Sequence, residues 1–159
     1  MKKVILIAIV LVNSTIAFSQ SIKNIDTDNG FNQMQFETPS YLFPYMKEVN
    51  LLSNGDYKSY VKPNDNRIIE NCEVNLIRYG YYKNKLYNIS FTVSGDNIQY
   101  LLSYFKNRYG ESTQSNNENH YYWKGNKVSM EFQIDGDMAR VLIFSKVYFK
   151  EQQQDLNKT

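Results

Sequence analysis

The chain has 159 residues, with eighteen Lys and Arg against sixteen Asp and Glu, and a single Cys, His and Trp. That length bounds it to one ordinary domain with enough chain to bury a core. The near-neutral balance carries no Lys/Arg cluster, which argues against a nucleic-acid or anionic-membrane binder. No repeat in the solenoid or propeller range is visible.

Met1-Lys2-Lys3 gives a short positive start, and Val4 to Val12 is an unbroken apolar run. Ala17 and Ser19 then place small residues three and one before a cut at Ser19/Gln20. This is the three-part layout of a bacterial secretory signal peptide, spanning 1–19. A bilayer span needs about twenty apolar residues, and Asn13-Ser14-Thr15 interrupts this run. No stable membrane span is expected once the signal is removed. Lys2 and Lys3 leave with it, so eighteen basic residues become sixteen and the mature chain has zero net charge. The expected location is the periplasm or the extracellular medium.

Residues 20–29 read as a flexible polar leader. Asp26, Asp28 and Glu37 match three ligand positions of a calcium loop, but Gly30 and Phe31 stand where an oxygen ligand and a sharp-turn glycine are needed. No metal is predicted. Gly30 to Phe36 alternates like a short strand. A short helix is predicted over Pro44 to Leu52, where Tyr45, Met46, Val49 and Leu52 share a stripe that ends at Ser53-Asn54-Gly55. Tyr57 to Val61 reads as a strand ended by Pro63.

The centre of the chain carries the clearest signals. Tyr87, Ile89, Phe91 and Val93 alternate with polar residues, the period of a half-buried strand. In the preceding arm Ile77, Tyr79 and Tyr81 share one face, while Val74, Leu76 and Tyr82 point the other way. A three-residue Lys83-Asn84-Lys85 loop would place Tyr79 opposite Ile89 and Ile77 opposite Phe91; a two-residue Asn84-Lys85 turn would slip the pairing unless a bulge absorbs it. Asn97 to Tyr109 follows as the main helix. Ile98, Leu101, Leu102, Phe105 and Tyr109 form its stripe, Asp96 and Gln99 suit a capping box, Lys106 and Arg108 suit the carbonyl end, and Gly110 suits the stop.

Residues 111–119 are polar and read as structureless. His120 to Trp123 leads through Lys124-Gly125-Asn126 into the alternating strand Val128 to Ile134. Asp135-Gly136 signals another hairpin, and Arg140 to Ser145 is an apolar strand suited to the centre of a sheet. Residues 150–159 read as a polar tail. The predicted fold is α+β, a two-layer domain over 30–149. Its mostly antiparallel sheet of five to seven strands is packed by one main helix (97–109) and a shorter N-terminal helix.

Chemistry is sparse. His120 has no nucleophile motif beside it, and one His with one Cys proposes no zinc site. Cys72 has no internal disulfide partner, and either a buried thiol or an interchain bridge is compatible with that. Gly110, Gly125 and Gly136 sit at turns and form no phosphate loop. Glu70 with Glu73, and Asp135 with Asp137, are the remaining carboxylate pairs. No cofactor is predicted.

Fourteen tyrosines, nine phenylalanines and a tryptophan exceed what one small core hides. Tyr82, Tyr100, Tyr104, Tyr122 and Trp123 are therefore the candidate binding residues, for an envelope protein or a glycan. A coding bias toward Asn, Lys, Ile and Tyr is the competing explanation. The sequence is read as an exported, non-enzymatic binding module. The alternative is a small secreted hydrolase using carboxylates or His120.

Overall fold

The computed structural model describes residues 25–49, 56–112, 114–117 and 119–157. The expected signal segment, 1–19, lies outside them. In chain order the strands are β1 (Gly30–Phe31), β2 (Met34–Gln35), β3 (Lys47–Glu48), β4 (Tyr57–Val61), β5 (Ile68–Ile69), β6 (Cys72–Glu73), β7 (Arg78–Tyr82), β8 (Lys85–Ser94), β9 (Gln114–Asn117), β10 (His120–Lys124), β11 (Val128–Asp135) and β12 (Met138–Ser145). Helix α1 (Asn97–Tyr109) follows β8, and α2 (Lys146–Leu156) follows β12. The class is α+β: a mostly antiparallel sheet with a few helices.

The main sheet has eight strands in the order β3-β4-β7-β8-β12-β11-β10-β9, one more than the upper end of the expected range. It consists of two meanders whose final strands, β8 and β12, pair with each other, and α1 is part of the connection between them. The apolar run in β12 therefore sits centrally, with a neighbour on each side. Register aligns side chains into rows across the strands. One row runs Trp123, Met130, Ile143, Ile89, Tyr79, Tyr60. Another runs Tyr121, Phe132, Val141, Phe91.

Helix α1 lies on these rows. Its stripe of Ile98, Leu101, Leu102, Phe105 and Tyr109 is buried in the same cluster as Ile89, Phe91 and Phe132. The Phe105 ring sits 6.2 Å from both Trp123 and Phe132. Each such fully buried side chain contributes about 1.5–3 kcal/mol. The helix stops at Gly110 as expected, with φ 82°. Its start differs from the expected capping box, since Asp96 is itself helical and makes no side-chain cap bond. Gly95, at φ 62°, closes the turn instead by accepting from the Ile98 N–H.

The β7–β8 turn is Lys83-Asn84, with φ 48° and 62°, so the loop is two residues long rather than three. A bulge between Gly80 and Tyr81 then inserts Tyr87 as the extra residue and restores the expected Tyr79–Ile89 pair. The bulge also turns Tyr87 onto the opposite face. There Tyr82, Tyr87 and Phe144 are buried beside α2. Phe149 of α2 lies 4.8 Å from the Phe144 ring, and the Tyr82 and Tyr87 hydroxyls donate to Asp155 and Gln152 at 2.6 and 2.9 Å. The expected polar tail, 150–159, is thus helical to Leu156, and the picture of helices on one face only is incomplete.

Several other expectations are overturned. The predicted helix over Pro44 to Leu52 is absent from its described part: a 3-10 turn at Ser40–Leu42 precedes it, Pro44 and Tyr45 form a turn and Lys47–Glu48 form β3, while residues 50–55 lie outside the described set. Pro44 lacks the N–H a helix would use, and a short isolated helix has a costly nucleus. The sheet offers pairing instead: Lys47 and Glu48 register with Val61 and Tyr60, and the Val49 N–H donates to the Ser59 carbonyl. The expected strand over 30–36 is a hairpin, folded at Asn32 and Gln33 with φ 49° and 67°. The stretch 111–119 contains β9, which pairs with β10.

Residues 25–29 of the expected flexible leader are packed in place. Residues 25–28 are helical and Ile25 is buried in the core cluster. Asp26 accepts from the backbone N–H groups of Asn126, Lys127 and Val128 at 2.6–3.0 Å. Its carboxylate thereby closes the β10–β11 loop from a hundred residues away.

Candidate functional site

A cleft of about 540 Å3 opens between the β1–β2 hairpin, the segment Ile68–Glu70, and the C-terminal half of α1. The Phe31 ring holds the hairpin here, stacked 5.4 Å from Phe91 and 6.3 Å from Phe105. The tip is tied down by Asn32, whose side-chain amide donates to the Asn66 carbonyl at 3.4 Å. On the facing wall Ile69 and Cys72 are buried, and they anchor the two-residue Glu70-Asn71 turn between β5 and β6.

One end of the cleft is closed by a charge cluster. A single oxygen of Asp28 accepts from Arg108 Nε at 3.0 Å, from a terminal Arg108 nitrogen at 2.8 Å, and from the Tyr109 hydroxyl at 2.8 Å. Arg108 lies in the last turn of α1, and Asp28 in the helical segment 25–28. Burial, reinforced by the Asp28 carboxylate, pushes the Tyr109 phenol above its ordinary range. Asp28 is thus occupied by its own chain, and Asp26 by the β10–β11 loop, so neither is placed as the calcium-loop spacing would need. Among the described residues no three His, Cys, Asp or Glu side chains are grouped to hold a metal ion.

Tyr104 stands one helical turn before Arg108, on the same side of α1. Its phenol is half-buried and pushed up by that burial, which Arg108 opposes and nearby Glu70 reinforces. Glu70 is exposed and takes φ 55°, the left-handed region, at the first position of its turn. Gln33 and Gln35 complete the rim. Three non-glycine residues at this cleft, Asn32, Gln33 and Glu70, hold positive φ. For Asn32 and Gln33 this is the ordinary geometry of a two-residue hairpin turn, whereas at Glu70 it costs about 1–3 kcal/mol.

The five residues expected to form a binding face are dispersed. Trp123 is 1% exposed, a core residue whose indole N–H donates to the Gly110 carbonyl at 2.7 Å. Tyr82 is buried beside α2. Tyr122 is on the outer face of β10, its ring 4.3 Å from that of His120. Tyr100 is exposed on α1, its hydroxyl accepting from the Asn71 side-chain amide at 3.2 Å. Only Tyr104 lines the cleft.

The groups considered for catalysis are likewise apart. His120 lies on the sheet face away from α1. Cys72 is fully buried and its thiol is pushed up by burial, the environment of an inert cysteine. Glu70 faces the cleft, whereas Glu73 pairs with Arg67 at 4.0 Å. Asp135 borders a small depression with Arg140 at the far end of the sheet.

Sequence reasoning missed the grouping of Asp28, Arg108, Glu70 and the hairpin amides. Asp28 had drawn notice as a carboxylate and Arg108 as a helix-end cation, but eighty residues separate them. The local signal was the Asn32-Gln33 pair between Phe31 and Met34. No protein-family model matches the chain, and comparisons with curated proteins and with solved structures return no match.

Proposed function

We propose that this protein is an exported, non-enzymatic binding module and that the cleft beside α1 is its recognition site. The export reading rests on the apolar, small-residue-terminated start of the chain. The binding reading rests above all on one observation: a preformed cleft within the usual size range of ligand sites is walled by a self-satisfied ion cluster. Its other polar groups, on Glu70, Tyr104 and the hairpin amides, face the opening. Such walls hold a ligand in position without offering a base held against a nucleophile.

The test is to screen the protein lacking residues 1–19 against glycan and peptide arrays, then repeat with Gln33→Ala/Tyr104→Ala and with Arg140→Ala on the far face. Ligands lost with the first variant and kept with the second support the cleft. Ligands indifferent to the first remove it. Turnover of a bound ligand that disappears in Glu70→Gln would transfer the reading to a hydrolase. Cell fractionation and the mass of the mature N-terminus test export, and a chain retained in the cytoplasm with Met1 intact would end that part.

A further inference from the structure

The chemistry of the lining narrows the ligand. This step rests on the reading of the cleft as a recognition site. Arg108 is the one cation among the lining residues, and both nitrogens facing Asp28 are engaged by that carboxylate. Glu70 adds a further negative charge at the opening. With Asp28 and Glu70 against one Arg108 the lining is net negative, which disfavours an anionic group that would lose its water on entering.

A ligand anchored by apolar side chains fits no better. Of the apolar lining, Met34 and Ile69 are buried, Phe31 is stacked against Phe91, and Ile68 stands exposed at the opening, so the walls offer one apolar surface contact and no enclosed apolar subsite. What faces the opening is a set of amides and a carboxylate on two turns, with an aromatic ring on the wall. A carboxamide offers an acceptor oxygen and two donors in one plane, and a carboxylate offers acceptors only. Adjacent hydroxyls on a ring, each both donor and acceptor, complement that arrangement and replace the waters that would otherwise fill it.

We propose that the cleft binds a short neutral saccharide. Its hydroxyls are held by Gln33, Gln35 and Glu70, and one sugar face lies against Tyr104. Asn32, Gln33 and Glu70 sit on left-handed turns, so the backbone positions from which their side chains reach are set before the ligand arrives.

The experiment is amide chemical-shift titration of the isotope-labelled protein without residues 1–19. The probes are maltotriose, cellotriose and N,N′-diacetylchitobiose as neutral ligands, digalacturonate as the acidic one, and a pool of short uncharged peptides. The expected result is that at least one neutral saccharide moves signals of residues 30–35 and 68–71 and digalacturonate does not. Glu70→Ala is expected to weaken that binding at least tenfold and Tyr104→Ala severalfold, with the remaining spectrum of each variant unchanged. The assignment is overturned if no neutral saccharide of the panel moves those signals, if digalacturonate binds as tightly, or if Glu70→Ala leaves the affinity intact. Peptides moving the same signals while saccharides do not would sink the saccharide and keep the cleft. Saccharides moving only signals on the far face of the sheet would sink both.

Discussion

The carboxylate of Asp26 fills the space that a side chain at Gly125 would need. The two residues are nearly a hundred positions apart, and neither makes sense without the other. The β10–β11 loop leaves three backbone N–H groups pointing inward, and Asp26 accepts all three. Hydrogen bonds to a charged group are worth about 1.5–3 kcal/mol, and the Asn126 and Lys127 donors can turn to water once released. Asp26→Ala is therefore expected to cost about 2–3 kcal/mol in urea unfolding, and Asp26→Asn less, because Oδ1 still serves Lys127 and Val128. Gly125→Ala should destabilise the wild type. In the Asp26→Ala background its cost should fall by at least about 1 kcal/mol, a coupling that independent sites would not show. Strict additivity would mean the loop does not depend on this contact.

Trp123 makes the only tryptophan a probe of the α1 interface. Its ring packs on Phe105, and its N–H reaches the carbonyl of the residue that ends the helix. Trp123→Phe keeps most of the packing but strands the Gly110 carbonyl, and a loss of about 1–3 kcal/mol is expected. Emission should be blue-shifted in the native state and move red in one step with loss of circular dichroism. A native emission maximum like that of free tryptophan would contradict the burial.

Alkaline pH should unfold the domain through its tyrosines. Burial pushes the phenols of Tyr81 and Tyr87 up to about 12, from 10 in the open chain. Tyr79, also buried and donating to Asp65 at 2.6 Å, is raised as well. Above pH 10 the unfolded chain loses these protons and the folded one keeps them, so stability is full below pH 10 and falls as pH rises toward 12. At about 1.4 kcal/mol per pH unit, Tyr81 and Tyr87 together account for on the order of 5 kcal/mol, comparable with the whole stability of a small domain. Tyrosinate absorbance and ellipticity should change together between pH 10 and 12, and Tyr87→Phe should move that midpoint upward. Early, non-cooperative ionisation of most tyrosines would argue against this core.

The C-terminal helix shows how much was legible and where legibility ended. The alternation of Ile89, Phe91 and Val93 in β8 and of β11, the continuous apolar run of β12 and the stripe of α1 are short-range patterns, and the structure contains each. The sequence KEQQQDLNKT has no such pattern, because α2 is held by partners distant in sequence: Lys83 bridges Glu151 and Asp155 at 2.7 and 2.8 Å, and Tyr82 donates to the same Asp155. The bulge that turns Tyr87 toward it was equally invisible. The site follows the same rule, since Tyr104 was singled out as an off-stripe aromatic, while Asp28 and Glu70 have meaning only once distant turns meet. Removing residues 146–159 is expected to uncover Tyr82, Tyr87 and Phe144, costing about 3 kcal/mol or more and raising dye binding by exposed apolar surface. Lys83→Ala alone should leave the unfolding midpoint nearly unchanged, because the ion pairs are exposed and screened by solvent. A truncation as stable as the full chain would return this segment to the status of a tail.

Glu70 separates stability from recognition. Its φ of 55° is a conformation glycine adopts freely and a glutamate does not, and its carboxylate faces a cleft rather than a partner that would repay the strain. Glycine loses more chain entropy on folding, which offsets part of the relief, so Glu70→Gly should stabilise the domain by about 0.5–1 kcal/mol, read as a rise of a few degrees in Tm. Glu70→Ala, which keeps the strain, should not stabilise. Both variants should lose affinity for a cleft ligand to the same degree, since both lack the carboxylate. If Glu70→Gly instead destabilised the fold, the left-handed turn would be held by side-chain contacts of Glu70, and its place in the cleft would be structural.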